Sequence, residues 1–265
     1  YDDEGSVEEE KRDTIEIIKD VYSEHYRSYQ GDIIICRQTL EHIYDPKHFL
    51  HTIRRAIDDP LKTKVFFEVP NAINIFRRLF VWDIIYEHYS YFTPTSLVAL
   101  FSACGFTVNT LTEEFEGQYL CVDASLQTLN AHNQNRLKNI NKFKPINRDI
   151  VSFAVNYQRK LNTCNQKLEE INRKGQRAVV WGGGSKGVTF LNQINNPQQI
   201  KYVVDINPRK QGLYVPGTGQ LIVSPAFLSE YNAEIVIVMN PIYTNEIRHL
   251  SKNLGVTADF ILVTT

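Results

Sequence analysis

The chain has 265 residues, 43% of them hydrophobic and 22% charged, which is the make-up of a soluble globular protein with room for about two domains. A formal net charge of -1 excludes a general binder of nucleic acid or of anionic membranes, because such partners demand a basic surface that releases counterions. No run approaches the roughly 18 apolar residues of a membrane span, and the first residues do not resemble a signal peptide. Cys36, Cys104, Cys121 and Cys164 lie far apart and mostly within apolar runs. That fits buried thiols in a reducing compartment better than disulfides or a metal site, so the expectation is a cytoplasmic protein without a metal.

In chain order, an acidic start gives way to an amphipathic stretch in which Ile15, Ile17, Ile18 and Val21 share a face, predicting a helix that ends near Tyr29. Asp32-Ile-Ile-Ile-Cys36 is a continuous apolar run of strand length, as expected for a strand covered on both faces of a parallel sheet. Asp45-Pro46 then opens a helix with Phe49, Leu50, Ile53 and Ile57 along one side, and Val65 to Val69 forms the next strand, completing a crossover unit. Thr93-Pro94 reads as an N-cap with proline in the first turn, and the helix from Thr95 to Cys104 stops at Gly105. The strand-like runs Phe106 to Thr112 and Gln118 to Leu126 are too close together for a helical crossover, so they should pair antiparallel.

Asn130 to Lys144 is polar and reads as a linker, followed by a long helix from about Arg148 to Lys174 with Val151, Val155, Leu161, Leu168 and Ile171 as its apolar stripe. A second α/β series follows: strand Arg177 to Trp181, a glycine-rich loop, helix Val188 to Ile194 and strand Tyr202 to Asp205. It continues with a helix opened by Ser224-Pro225, strand Ile235 to Met239, helix Tyr243 to Leu254 and strand Phe260 to Val263. Alternation of this kind predicts a small doubly wound domain.

Three stretches carry chemistry. Tyr86-Glu-His-Tyr-Ser-Tyr91 crowds a carboxylate, an imidazole and three phenols into a loop beyond a strand, the arrangement of a general acid/base site; the alternative is an aromatic plug in a core. Glu41-His42 lies just past a strand's C-terminal end, where open α/β sheets bind ligands, or else forms the first turn of a connecting helix with His42 satisfied by backbone. Gly182-x-Gly184-x-x-Gly187 between a strand and a helix, trailed by Asp205, satisfies the dinucleotide-binding pattern, unless the glycines serve packing alone. Asp205 to Thr218 adds turn formers and the cations Arg209 and Lys210, which suits a loop that meets a diphosphate or a solvated turn.

Several blocks in one order resemble the sugar C-methyltransferase family: Cys36-Arg-Gln-Thr-Leu-Glu-His-Ile43 with Asp45-Pro46, Glu68-Val-Pro-Asn71, Glu87-His-Tyr-Ser-Tyr-Phe92, Gly182-Gly-Gly-Ser-Lys-Gly187, and Val204-Asp205 through Pro216-Gly-Thr218. The resemblance covers roughly residue 32 to the C-terminus and implies S-adenosylmethionine chemistry on a nucleotide-linked deoxysugar. It also implies that the second glycine loop takes no part in nicotinamide chemistry. The family motif reads Tyr-His-Glu-His; here Glu87 and His88 match, while Ile85 and Tyr86 replace its first two residues. By this resemblance His88 removes a proton beside a sugar ketone and the enolate attacks the sulfonium methyl. Glu87 then orients the imidazole or binds a hydroxyl, and Tyr86 or Tyr91 bonds the oxyanion. Arg37, Gln38, Thr39, Glu41 and His42 border the cofactor, and Asn71, Lys186 and Lys210 face the substrate. The family's zinc-binding cysteine cluster and cofactor glycine loop are not found before Asp32, and the numbering opens at Tyr1, so the expectation is the C-terminal part of such an enzyme.

The expected fold class is therefore α/β: the C-terminal part of a class I methyltransferase Rossmann-like sheet at 1–129, a linker and long helix at 130–175, and a second small Rossmann-like domain at 176–265. The expected activity is C-methylation of a small molecule such as a nucleotide sugar, with no nucleic-acid or membrane partner and an oligomeric state the sequence does not set. Two rival readings stay open: an NAD(P)-dependent oxidoreductase using the Gly182 loop, and a non-catalytic nucleotide-sugar binding protein.

Overall fold

The computed structural model describes residues 15–29, 31–127 and 146–263. The expected linker at 130–144 lies outside them. Two sheets organise these residues. The first has the order β1-β2-β4-β3, with β1 at Ile33–Arg37, β2 at Lys64–Pro70, β3 at Phe106–Glu114 and β4 at Tyr119–Leu126. β1 and β2 run parallel, with Ile33 opposite Lys64, while β4 is antiparallel to both β2 and β3. The short turn between β3 and β4 enforces that reversal, since a parallel return needs a crossover of a dozen or more residues.

α1 (Pro46–Ala56) and α3 (Pro94–Ala103) cover this sheet, while α2 (Ala72–Arg77) packs against the long helix that follows. α1 begins where Asp45 accepts a hydrogen bond from the His48 N–H, and it buries Leu50, Ile53 and Ala56 along one face. The full burial of Leu50 and Ile53 against β1 and β2 contributes about 2 kcal/mol each. α2 starts at Asn71, and α3 opens with a reciprocal Thr93–Ser96 capping box. The aromatic centre of this core is Phe101, edge-on to Phe67 at 5.1 Å and next to Phe106.

The second sheet is wholly parallel, in the order β7-β6-β5-β8-β9, with β5 at Ala178–Trp181, β6 at Tyr202–Val204, β7 at Leu221–Val223, β8 at Ile235–Val238 and β9 at Asp259–Leu262. Every residue of β5 and β8 is buried, which explains their unbroken apolar runs. α4 (Asn147–Arg173) and α5 (Ser185–Gln193) cover one face through Leu168, Ile171, Phe190 and Leu191. α6 (Phe227–Tyr231) and α7 (Thr244–Asn253) cover the other through Leu228 and Ile247. Packing thus joins the lower half of α4 to the second sheet.

The units meet through the segment after α2. Val81 and Trp82 belong to the core of the second sheet: Trp82 is 2% exposed, stands edge-on to Phe190 at 4.9 Å and donates its indole N–H to the Val263 carbonyl. Arg77 pairs with Asp149, and Phe76 meets Phe153, on the flank of the same junction.

Two expectations are corrected. The stretch with Ile15, Ile17, Ile18 and Val21 is not a helix: a 3-10 helix spans only Glu24–Tyr29, and all four apolar side chains are exposed, so there is no buried stripe to sustain the longer helix. β1 is covered on one face, not two, because Ile33 and Ile35 are 55% and 59% exposed on an edge strand. Sequence reading also missed β7 and α2. Among the described residues, no helix is long and apolar enough to cross a membrane.

Candidate active site

The C-terminal ends of the parallel strands of both sheets open onto one cavity of about 560 Å3. Gln38, Glu41 and His42 line it after β1, Pro70 at the end of β2, Trp181 and Gly182 at the end of β5, and Met239 and Asn240 after β8. Its size falls in the range of roughly 300–1,000 Å3 typical of small-molecule sites, and its position obeys the rule that open α/β sheets bind ligands beyond their carboxyl ends.

The wall on the first unit is built around Glu68 and Glu41. Glu68, 5% exposed at the end of β2, accepts hydrogen bonds from the Arg37 guanidinium and the Gln38 side-chain amide. Gln38 itself adopts φ +49°, a left-handed conformation costly for a residue with a Cβ, and its backbone N–H is held by the Glu68 carbonyl at 2.9 Å. The turn at Leu40–His42 follows. The Glu41 carbonyl accepts from the N–H groups of Tyr89 and Ser90, at 2.8 and 3.2 Å, which docks the Glu87-His88 loop onto this turn.

His42 and His88 then meet edge-to-face at 4.7 Å. His42 Nδ1 lies 3.2 Å from the Glu87 carbonyl, which can only accept, so Nδ1 carries a hydrogen. Nε2 faces the Glu41 carboxylate at 4.0 Å. Glu41 is 1% exposed, and among the described residues neither of its oxygens has a hydrogen-bond partner; the buried Nδ1 of His88 has none among them either. Burial pushes the Glu41 carboxyl above the usual carboxylate range. Burial, and secondarily the neighbouring His42, pushes His88 down to about 4.

The far wall belongs to the second unit. The turn from Gly182 to Gly187 is closed on itself: the Gly183 N–H donates to Asp205 Oδ2 at 2.9 Å, Lys210 Nζ reaches the Gly183 carbonyl and Asp205 Oδ2, and Asp205 Oδ1 accepts from the Asn207 N–H. A Cβ on Gly187 would stand 2.0 Å from the Gly182 carbonyl oxygen, so this glycine is required by packing alone. Asp205, the acid a dinucleotide ribose would need, is already engaged in holding the turn. Lys186 crosses to the first unit, pairing with Asp83 at 2.9 Å and approaching Gln118 Oε1 at 3.5 Å. Burial raises the Asp83 carboxyl, and Lys186 opposes that rise.

Comparison with protein-family models matches residues 124–263, more than half of the chain, to the C-methyltransferase C-terminal domain, and residues 4–111 to a methyltransferase domain. The chain belongs to the C-methyltransferase family. No curated protein matches this C-methyltransferase. Its methyltransferase domain implies S-adenosylmethionine as methyl donor and a small-molecule acceptor. The residues present fit such a ligand: Gln38, Glu41 and His42 line the cavity, and the buried Glu41 oxygens have no hydrogen-bond partner among the described residues.

Of the cofactor candidates in the C-methyltransferase, Gln38, Glu41 and His42 line the cavity. Arg37 does not: it is exposed and engaged by Glu68, and Thr39 turns its hydroxyl to the Arg37 carbonyl. Of the candidates for proton chemistry, His88 lines the cavity, while Tyr86 is 87% exposed, the Glu87 side chain is exposed, and the Tyr91 hydroxyl donates to the Ile85 carbonyl. Of the substrate candidates, Lys186 lines it. Asn71 is 1% exposed and consumed by backbone, accepting from the Ile73 N–H and donating to the Gly117 carbonyl, and Lys210 is held by the glycine turn. Asp83, Tyr119, Asn240 and Tyr243 line the cavity without having been singled out. Asn240 alone carried a signal, an Asn-Pro turn directly after an apolar strand.

Proposed function

We propose that this C-methyltransferase methylates a carbon beside a ketone in a nucleotide-linked sugar, with His88 as the base that removes the proton. The observation that carries this reading is the His88 imidazole at the cavity wall, docked onto the Glu41 carbonyl through the N–H groups of Tyr89 and Ser90 and packed edge-on to His42. A base held by backbone on one side and a ring on the other keeps one orientation toward a bound carbonyl compound. When bound, S-adenosylmethionine supplies an electrophilic methyl group, and Gln38, Glu41 and His42 are the residues positioned to hold it. Lys186, paired with Asp83, stands on the opposite wall within reach of the acceptor, and Asn240 and Tyr243 add polar groups to the lining. Four free thiols at Cys36, Cys104, Cys121 and Cys164 fit the reducing setting of a cytoplasmic enzyme.

The test separates proton removal from methyl transfer. A thymidine-diphosphate-linked keto sugar is incubated with the protein in deuterium oxide, without methyl donor, and loss of the proton beside the ketone is followed by NMR. The protein should accelerate exchange, and His88→Asn should lower that acceleration by about a hundredfold or more. Undiminished exchange in the variant sinks the assignment of His88 as base.

A further inference from the structure

We propose that Glu41, His42 and His88 form a binding site for one divalent transition-metal ion, of the zinc, cobalt or nickel class, that opens onto the cavity. The site shares its side chains with the functional reading above, and only the effect of the ion on proton removal rests on that reading. Each of the three offers one ligand atom, and these atoms all lie within 4.8 Å of one another. Ligand atoms around an ion bound at about 2.0–2.2 Å sit roughly 3–3.5 Å apart, so closing the set brings the side-chain atoms together by about 1–2 Å.

Three observations point to a missing partner at this place. Both oxygens of Glu41 are buried with no hydrogen bond from the described residues, and a 1%-exposed carboxylate in that state is a costly arrangement unless something else meets it. The buried Nδ1 of His88 lacks a partner as well. The third is the placement of His42: its Nδ1 hydrogen is fixed on the Glu87 carbonyl, and its Nε2 stands 4.0 Å from a Glu41 oxygen. A ligating imidazole is oriented in this way, by a backbone carbonyl on its other nitrogen. The two segments that supply the ligands are tied together by the Tyr89 and Ser90 N–H groups on the Glu41 carbonyl, so the donor set exists before an ion arrives.

The donors decide the ion. Two imidazoles and one carboxylate favour borderline transition metals over magnesium or calcium, which select oxygen ligands. Three protein ligands leave positions toward the cavity for water or a ligand oxygen, as in an open site rather than a structural one. An imidazole that gives one nitrogen to a cation keeps its proton on the other, so an occupied site silences His88 as a base. The ion therefore acts on proton removal as a reversible inhibitor.

The experiment uses cobalt(II) as probe. Metal-free protein, prepared with a chelator and handled without thiols, is titrated with cobalt and followed by visible absorption. The expected result is saturation at one equivalent with d–d bands of nitrogen and oxygen ligation, lacking the near-ultraviolet charge transfer that sulfur from the cysteines would give. Glu41→Gln and His42→Gln should each weaken binding by about a hundredfold, while His48→Gln, an exposed histidine outside the cluster, leaves it unchanged. Circular dichroism confirms that each variant folds. No saturable binding, a sulfur charge-transfer band, or unchanged affinity in both cluster variants would overturn the proposal. Because the readout needs no acceptor or methyl donor, its outcome stands apart from the exchange test: cobalt binding with unaltered exchange in His88→Asn sinks the base and keeps the metal site, and the reverse pattern does the opposite.

Discussion

Replacing Lys186 by methionine probes the junction between the two units at its most polar point. Lys186 Nζ lies 2.9 Å from Asp83 Oδ1, with side chains 23% and 17% exposed, and a surface pair in water would contribute about 0–1 kcal/mol. Removing one partner from a fully buried pair costs about 3–5 kcal/mol, because the remaining charge is stranded. The partial exposure here lowers that to about 2–3 kcal/mol. The pH dependence has a definite sign. Burial raises the Asp83 carboxyl and the lysine opposes it, so without the lysine the folded state holds the proton on Asp83 more tightly. A carboxyl with a raised folded-state value contributes stability at low pH that is lost as pH rises through that value. The deficit of Lys186→Met should thus be small in mild acid and largest at neutral pH. Urea unfolding followed by the fluorescence of Trp82 and Trp181 measures it, and Asp83→Asn combined with Lys186→Met should recover at least about half of the loss. A deficit below about 0.5 kcal/mol that does not change with pH would refute the reasoning and make the pair a solvated one.

Two further substitutions test the site's framework. Asn71→Ala removes the cap of α2 and the bond to the Gly117 carbonyl, and should cost about 2–3 kcal/mol in urea unfolding while leaving calorimetric affinity for a sugar nucleotide unchanged. A tenfold weaker affinity with intact stability would return Asn71 to the binding site. Gly187→Ala forces its new methyl against the Gly182 carbonyl, a contact with a main-chain oxygen that no rotamer relieves, and should destabilise the second unit by about 3 kcal/mol or more. A variant as stable as its parent would disprove the closed turn.

Much of the architecture was legible because local signals agreed with the tertiary result. Asp45-Pro46 and Thr93-Pro94 start α1 and α3, the short gap after Glu113 makes β3 and β4 antiparallel, and the apolar runs of β5 and β8 are buried on both faces. β7 was hidden because Leu221–Val223 is very short and directly precedes Ser224-Pro225, which reads as a helix start. The amphipathic pattern at Ile15 to Val21 misled, since periodicity says which residues share a face and not whether anything covers it. At the site, Glu41-His42 admitted two readings, and the residues form a helical turn in which His42 Nδ1 meets a backbone carbonyl, while both also line the cavity. Adjacency in sequence grouped Tyr86, Glu87 and His88, but the backbone of that loop turns His88 inward and leaves the other two side chains in solvent. Tyr119, Asn240 and Tyr243 reach the cavity through strand order, a property that no local stretch records.

The segment that carries His88 also carries Trp82, whose ring is seated in the core of the other unit. A chimaera that exchanged the second sheet for that of an unrelated protein would leave Val81 and Trp82 without a socket, and a large apolar surface would open beside the imidazole. The loop would then slacken from its far end, whatever was preserved on the first sheet. An exchange of either sheet should therefore carry residues 79–92 together with the core that seats Trp82.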